Sequence, residues 1–156
     1  RWYGKSDSLI SNPILEIKIK KGLLGKKLIF PLNPIGFDYK SSNEKLIQVI
    51  SESDIPLIIK NDLKNLVPTI NNQYTRKYFL SSDKKYRITL DSDQKFYRMR
   101  PLNKFLNFRY FDKINIILEL KYNKGDNLNA DYITNQFPFR LTKNSKYVFG
   151  IDKLFN

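Results

Sequence analysis

The stretch LEIKIKKG at Leu15–Gly22 has an echo late in the chain, LELKY at Leu118–Tyr122, and both open on the same pattern: apolar, Glu, apolar, Lys. Each lies in an aliphatic, β-branched run that reads as a strand. Side chains alternate between the two faces of a strand. Glu16 and Lys18 therefore share one face, as do Glu119 and Lys121, while Leu15, Ile17, Leu118 and Leu120 point the other way. A carboxylate and an ammonium on one strand face, twice, point to a sheet with one charged, working surface. Chemistry on phosphates needs that mixture, a carboxylate to hold a metal and cations to hold the anion.

Around these two strands the pattern fills in. Pro13–Lys20 alternates, Lys21–Gly25 holds two glycines, and Lys26–Leu32 alternates again, so the three predict a hairpin. Pro31 and Pro34 then interrupt the sheet. Ser41 and Glu44 have capping-box spacing before Leu46, Ile47, Val49 and Ile50, which places a helix over Asn43–Ser53. Leu57, Ile58, Leu63 and Leu66 suggest a second helical stretch ending before Pro68. Gln73–Leu80 and Tyr86–Asp91 read as strands around a turn at Ser81–Lys84, with a weaker separate strand at Gln94–Met99. Asn103–Asp112 is ambiguous, a loop with a short strand. Lys113–Tyr122 is the clearest strand, followed by a polar turn at Asn123–Asn127, a short helix over Ala130–Phe137 and a mixed segment at Phe139–Leu154.

Several of these strands set a charged face against an apolar one. Arg76 shares a face with Tyr74 and Tyr78; Arg87, Thr89 and Asp91 share a face opposite Tyr86, Ile88 and Leu90; Lys27 lies with Ile29. The plainer reading is an antiparallel sheet with its apolar side on helices and its charges in water. The sharper one closes the sheet into a barrel with the charges inside and helices outside, enclosing a channel or ligand cavity. Two like charges about 6 Å apart at an effective dielectric near 20 repel by roughly 3 kcal/mol. An inward ring of cations is thus costly when empty, and a bound polyanion relieves it.

Composition bounds the chemistry. The 156 residues fit one domain, of a size that buries about 68–70% of its unfolded surface. Hydrophobic residues at 41% exclude a disordered tail. With no Cys and no His, disulfides, thiol catalysis, imidazole proton shuttles and Cys- or His-ligated metal are excluded. A net charge of +13 favours an anionic partner: nucleic acid, polyphosphate or an anionic membrane surface. A lysine-rich surface from a biased composition accounts for part of that charge equally well. No apolar run reaches the length of about 18 residues that a transmembrane helix needs, and no signal peptide is visible. The chain opens at Arg1 inside what reads as a strand, without an initiator Met, so preceding sequence is expected.

Taken together, these residues resemble the VTC (vacuolar transporter chaperone) domain, a branch of the CYTH-like triphosphate tunnel metalloenzymes. The matching segments are RWYG at Arg1–Gly4, LEIKIKKG at Leu15–Gly22, Lys27, QYTRKYF at Gln73–Phe79, RITLD at Arg87–Asp91, LELKY at Leu118–Tyr122 and LTKNSKYVFG at Leu141–Gly150. The resemblance implies an α+β fold, an antiparallel tunnel barrel with helices packed outside. It implies one domain over the whole chain, binding a triphosphate such as ATP, or polyphosphate, with Mn or Mg. Arg1, Lys18, Lys27, Arg76 and Arg87 correspond to the tunnel's phosphate-binding cations, and Lys143, Ser145 and Lys146 to a phosphate-contacting cluster near the end. Of these, Lys18, Arg76, Arg87 and Lys146 are the expected catalytic residues. Glu119 is the first-choice metal carboxylate and Glu16 the second. The family also carries an earlier Glu-x-Lys strand and an Arg just before the position of Arg1, both absent here, so a barrel lacking its first strands is expected. Ile29 stands where members tend to have a second basic residue.

The function implied is a metal-dependent polyphosphate polymerase. Phosphoryl transfer depends on positioning and charge neutralisation, and a terminal phosphate oxygen is already ionised at neutral pH, so neither His nor Cys is required. Oxygen ligands suit Mg²⁺ or Mn²⁺. A triphosphate hydrolase or a non-catalytic polyphosphate-binding module is the alternative. A basic β module for single-stranded nucleic acid ranks third, because no RNP-like aromatic motif is present; no nucleic-acid partner is expected. A cytoplasmic location follows from the resemblance, with a membrane-anchored or multi-subunit context outside this chain. Each site residue also has a plainer reading. Glu16 and Glu119 could pair with a neighbouring Lys. Arg76 and Arg87 could be solvated sheet arginines, and Lys143 and Lys146 an exposed basic end. Ser145 could be a cap or turn residue, and Asp91 could end a strand or make a turn.

Overall fold

The computed structural model describes residues 1–4, 9–21, 24–36, 43–99 and 109–156. Ser41, the tip of the first hairpin at Gly22 and Leu23, and the segment 103–108 lie outside the described residues. The chain forms two compact units, Arg1–Pro68 and Thr69–Asn156. The whole is a mixed α+β structure with antiparallel sheets and four α-helices among the described residues.

In the first unit, β1 (Leu9–Ile10) pairs with β4 (Ile35–Gly36), and β2 (Ile14–Lys21) forms the expected hairpin with β3 (Leu24–Pro31). The hairpin register puts Leu15 opposite Phe30 and Ile17 opposite Leu28 on one face, and Glu16 opposite Ile29 and Lys18 opposite Lys27 on the other. Arg1 exchanges two backbone hydrogen bonds with Ile14, each 2.8 Å, extending that strand pairing. α1 (Asn43–Glu52) turns Leu46, Val49 and Ile50 to its less exposed side, the spacing of an amphipathic helix. α2 (Leu57–Leu63) starts after Pro56, where a missing N–H costs nothing. Buried Ser53 ties the end of α1 to the chain after β3: its hydroxyl donates to the Val49 carbonyl at 2.6 Å and accepts from the Asn33 N–H at 2.8 Å. Among the described residues of this unit, Ile10, Ile35 and Ile55 are buried apolar side chains.

The second unit is built on a four-stranded antiparallel sheet. β5 (Ile70–Leu80) pairs along one edge of β6 (Arg87–Arg98), and β7 (Arg109–Asp112) and β8 (Ile117–Lys121) pair along the other. Two expectations change. The weak strand at Gln94–Met99 is the far half of one long strand, β6. Lys113–Ile116 lies outside the clearest strand: the Asp112 carboxylate accepts the Ile114 and Asn115 N–H groups at 3.2 and 3.0 Å and turns the chain there. The discontinuity between β7 and β8 faces a bulge in β6, where Gln73 opposes Lys95 but Thr75 opposes Ser92. Asp93 sits there at φ 52°, in the left-handed region that Asp tolerates better than most residues.

That bulge decides which side chains share a face. Before it, Arg87, Thr89 and Asp91 point one way; after it, Gln94 and Phe96 continue on the same side, because the extra residue reverses the alternation. α4 (Lys146–Phe155) packs on this side, with Phe149 5.5 Å from Phe96 and 5.9 Å from Tyr110, ring to ring. Gly150 allows the close approach: a β-carbon there would lie 2.6 Å from Phe96 Cδ1. The remaining elements are a 3₁₀ turn at Lys124–Asp126 and α3 (Asn127–Thr134). α3 begins earlier than the expected Ala130, and the mixed terminal segment resolves into coil followed by α4. Among the described residues the strands close no ring.

Candidate functional site

The sequence-predicted site residues fall into two clusters, one in each unit. In the first, Glu16 is the centre. Arg1 Nη1 lies 3.2 Å from one carboxylate oxygen, and Lys27 Nζ and Lys18 Nζ lie 3.3 and 3.6 Å from the other. β2 supplies Glu16 and Lys18 two residues apart, and β3 brings Lys27 opposite Lys18. Arg1 also hydrogen-bonds the Tyr3 hydroxyl and stacks on its ring at 5.0 Å. Burial alone would raise the Glu16 pKa, but the hydrogen bond from Lys27 and the three nearby cations outweigh it and hold the carboxyl below its ordinary value. The lysines remain exposed. This is a cationic surface around one neutralised carboxylate, and that carboxylate has little capacity left for a metal.

The second cluster lies on the α4 side of the larger sheet. Antiparallel register aligns Arg76 with Asp91 and Ile117, Tyr78 with Thr89 and Glu119, and Leu80 with Arg87 and Lys121. Directly opposed residues share a face, so Arg76, Arg87, Glu119 and Lys121 lie on one surface, as the alternation predicts. Asp91, 1% exposed, organises it. Arg76 donates from Nε and Nη2 to its two oxygens at 2.5 and 2.6 Å, and Lys146 Nζ lies 2.6 Å from Oδ2. Tyr74 lies under both cations, 5.0 Å from the Arg76 guanidinium and 4.8 Å from Lys146 Nζ. Hydrogen bonding to Asp91 raises the Arg76 pKa further. For Asp91 itself burial pushes upward, but the hydrogen bonds from Arg76 and Lys146 win, and its pKa is lowered. Thr89 is also 1% exposed, and its hydroxyl oxygen has no hydrogen-bond partner among the described residues.

Ser145 is the N-cap of α4 and accepts the Val148 N–H at 3.4 Å, which sets Lys146 as the first helical residue. The same cap brings Lys146 to Asp91, so the terminal motif works through helix placement. Lys143 is exposed in the coil before the cap. Arg87 is exposed, and among the described residues it joins no ion pair. Glu119 is 46% exposed on its side chain and contacts Lys121 at 3.2 Å. No group of three acidic residues converges among the described residues. Mg²⁺ and Mn²⁺ use one or two carboxylates plus substrate oxygens, and the accessible Glu119 fits that demand better than Glu16.

Asp91 is the residue that sequence reasoning misplaced. It neither ends a strand nor makes a turn; it is the buried hub of the site. Its face was legible from Arg87 and Thr89, but the arrival of Lys146 from a distant helix was not.

A family model described as the VTC domain matches residues 1–155, spanning both units. Neither the curated proteins nor the solved structures contain a match. The chain belongs to the VTC domain family.

Proposed function

We propose that this chain is a polyphosphate-handling phosphotransferase domain that extends a phosphate chain from a nucleoside triphosphate, using Mn²⁺ or Mg²⁺. The observation that carries the reading is the shared face of the larger sheet. Arg76 from β5, Arg87 from β6 and Lys146 from α4 stand on it with an accessible carboxylate, Glu119 from β8. Cations from separate elements neutralise adjacent phosphates, and a single carboxylate suits a metal held mainly by substrate oxygens. The bound metal would spread the charge that builds on the transferred phosphoryl group. Arg1, Lys18 and Lys27 add a second cationic surface for the chain of phosphates, with Glu16 as their counter-ion. A tunnel barrel belongs to this proposal, as do a cytoplasmic location and a membrane-anchored or multi-subunit setting.

The test is incubation of the intact protein with ATP and Mn²⁺, measuring long-chain polyphosphate and released phosphate separately. Chain growth is the expected result. Release of phosphate without chains makes the domain a hydrolase. Tight tripolyphosphate binding with neither product makes it a binding module, the reading that Ile29 opposite Glu16 favours. Preference for an oligonucleotide over tripolyphosphate at equal salt overturns all three.

A further inference from the structure

A site built for anion affinity alone would not bury a carboxylate between two of its cations. Asp91 does this. It takes the Nε and Nη2 groups of Arg76 at 2.5 and 2.6 Å and the ammonium of Lys146 at 2.6 Å. The two cations keep 15% and 19% of their side-chain surface exposed. An anion can therefore reach them, but it must compete with a carboxylate already in place. Charge-assisted and forked hydrogen bonds are the strong ones, and a short anion offers too few contacts to displace them. A chain of phosphates also engages Arg87 and Lys121 on the same face, and linked contacts raise the effective concentration of each phosphate at the next cation.

Resting on the polyphosphate reading above, we propose that Asp91 is a built-in counter-ion of Arg76 and Lys146 that a bound polyphosphate displaces, so that it tempers the affinity of the face for its own ligand. It withholds Arg76 and Lys146 from short anions such as orthophosphate and yields them to a polyanion. Asp91→Asn preserves shape and an acceptor for Arg76 while removing the competing charge. Titration calorimetry of the full chain with orthophosphate and with tripolyphosphate, at one salt concentration, reads the effect. In D91N tripolyphosphate affinity should rise about tenfold, equivalent to a change of about 1.4 kcal/mol, and orthophosphate affinity by no more, because the anion that displaces Asp91 in the wild type is the one relieved of the full cost. Asp152→Asn removes the same formal charge from an exposed position on α4 beside Lys153 and should leave tripolyphosphate affinity close to that of the wild type.

A folded D91N protein with the wild-type tripolyphosphate affinity overturns the proposal and leaves the polyphosphate reading standing. Wild-type protein that does not favour tripolyphosphate overturns the reading itself. If D91N does not fold, the wild-type Asp91 carboxyl carbon resonance decides. It should shift with tripolyphosphate and stay with an equal concentration of orthophosphate. No shift with tripolyphosphate, or equal shifts with both anions, overturns the proposal.

Discussion

Glu16 and Glu119 occupy the same motif position, and their surroundings separate them. Glu16 meets three cations, and its side chain is 9% exposed; Glu119 meets one lysine and is 46% exposed. Glu119→Gln should therefore abolish metal-dependent turnover while tripolyphosphate affinity, measured without metal, changes by less than about threefold, well under the 1.4 kcal/mol that a tenfold change represents. Unchanged turnover would remove Glu119 from the mechanism. Asp91 makes a pH prediction. Its folded pKa lies below the unfolded value, so its stabilisation is fully present above the ordinary carboxylate range, near pH 4, and is lost as pH falls through the lower folded value. Urea midpoints should decline below about pH 4, and D91N should flatten that decline relative to wild type. Asp112, also lowered by its hydrogen bonds despite burial, leaves a residual acid slope in the variant.

At the scale of the element, α4 is placed by its cap, by the Lys146–Asp91 ion pair and by Gly150. Ser145 stops the helix from starting earlier, and the absence of a side chain at Gly150 lets Phe96 and Ile70 come close, within 2.6 and 2.9 Å of where a β-carbon would stand. Gly150→Val has no relief available, because a β-branched side chain is stiff and the ring it meets is fully buried. Overpacking of this kind costs about 1–3 kcal/mol, read as a lowered urea midpoint at an unchanged m-value. The variant should also weaken tripolyphosphate binding, since displacing α4 withdraws Lys146 from the face. The bulge at Asp93 is the complementary device in the sheet: it moves the buried set of β6 from odd to even positions, so that polar Thr89 and Asp91 and apolar Phe96 share one face, with α4 reaching Asp91 and Phe96.

At the scale of the molecule, a charge of +13 makes anion binding dependent on ionic strength. Screening reaches a Debye length of about 10 Å at 0.1 M salt, so exposed Lys18, Lys27 and Arg87 should lose most of their contribution there, and the partly buried Arg76, Lys121 and Lys146 less. Tripolyphosphate affinity should fall steeply with added NaCl and then level off; a flat dependence would assign the anion to uncharged contacts. Both Glu-x-Lys strands, the first hairpin, the α1 stripe and the shared faces of Arg76, Arg87 and Glu119 were readable in the sequence, because alternation within a strand is a local property of the backbone. The bulge was not, since one residue at positive φ leaves no periodic trace and reverses everything beyond it. Nor was the side that α4 covers: the expected greasy face of Ile88 and Leu90 is only partly buried, while Thr89 and Asp91 are enclosed. The sequence by itself determined which charges stand together on each strand. Tertiary structure alone decided which of them are freed for an anion and which are already paired, because pairing depends on distances between elements far apart in the chain.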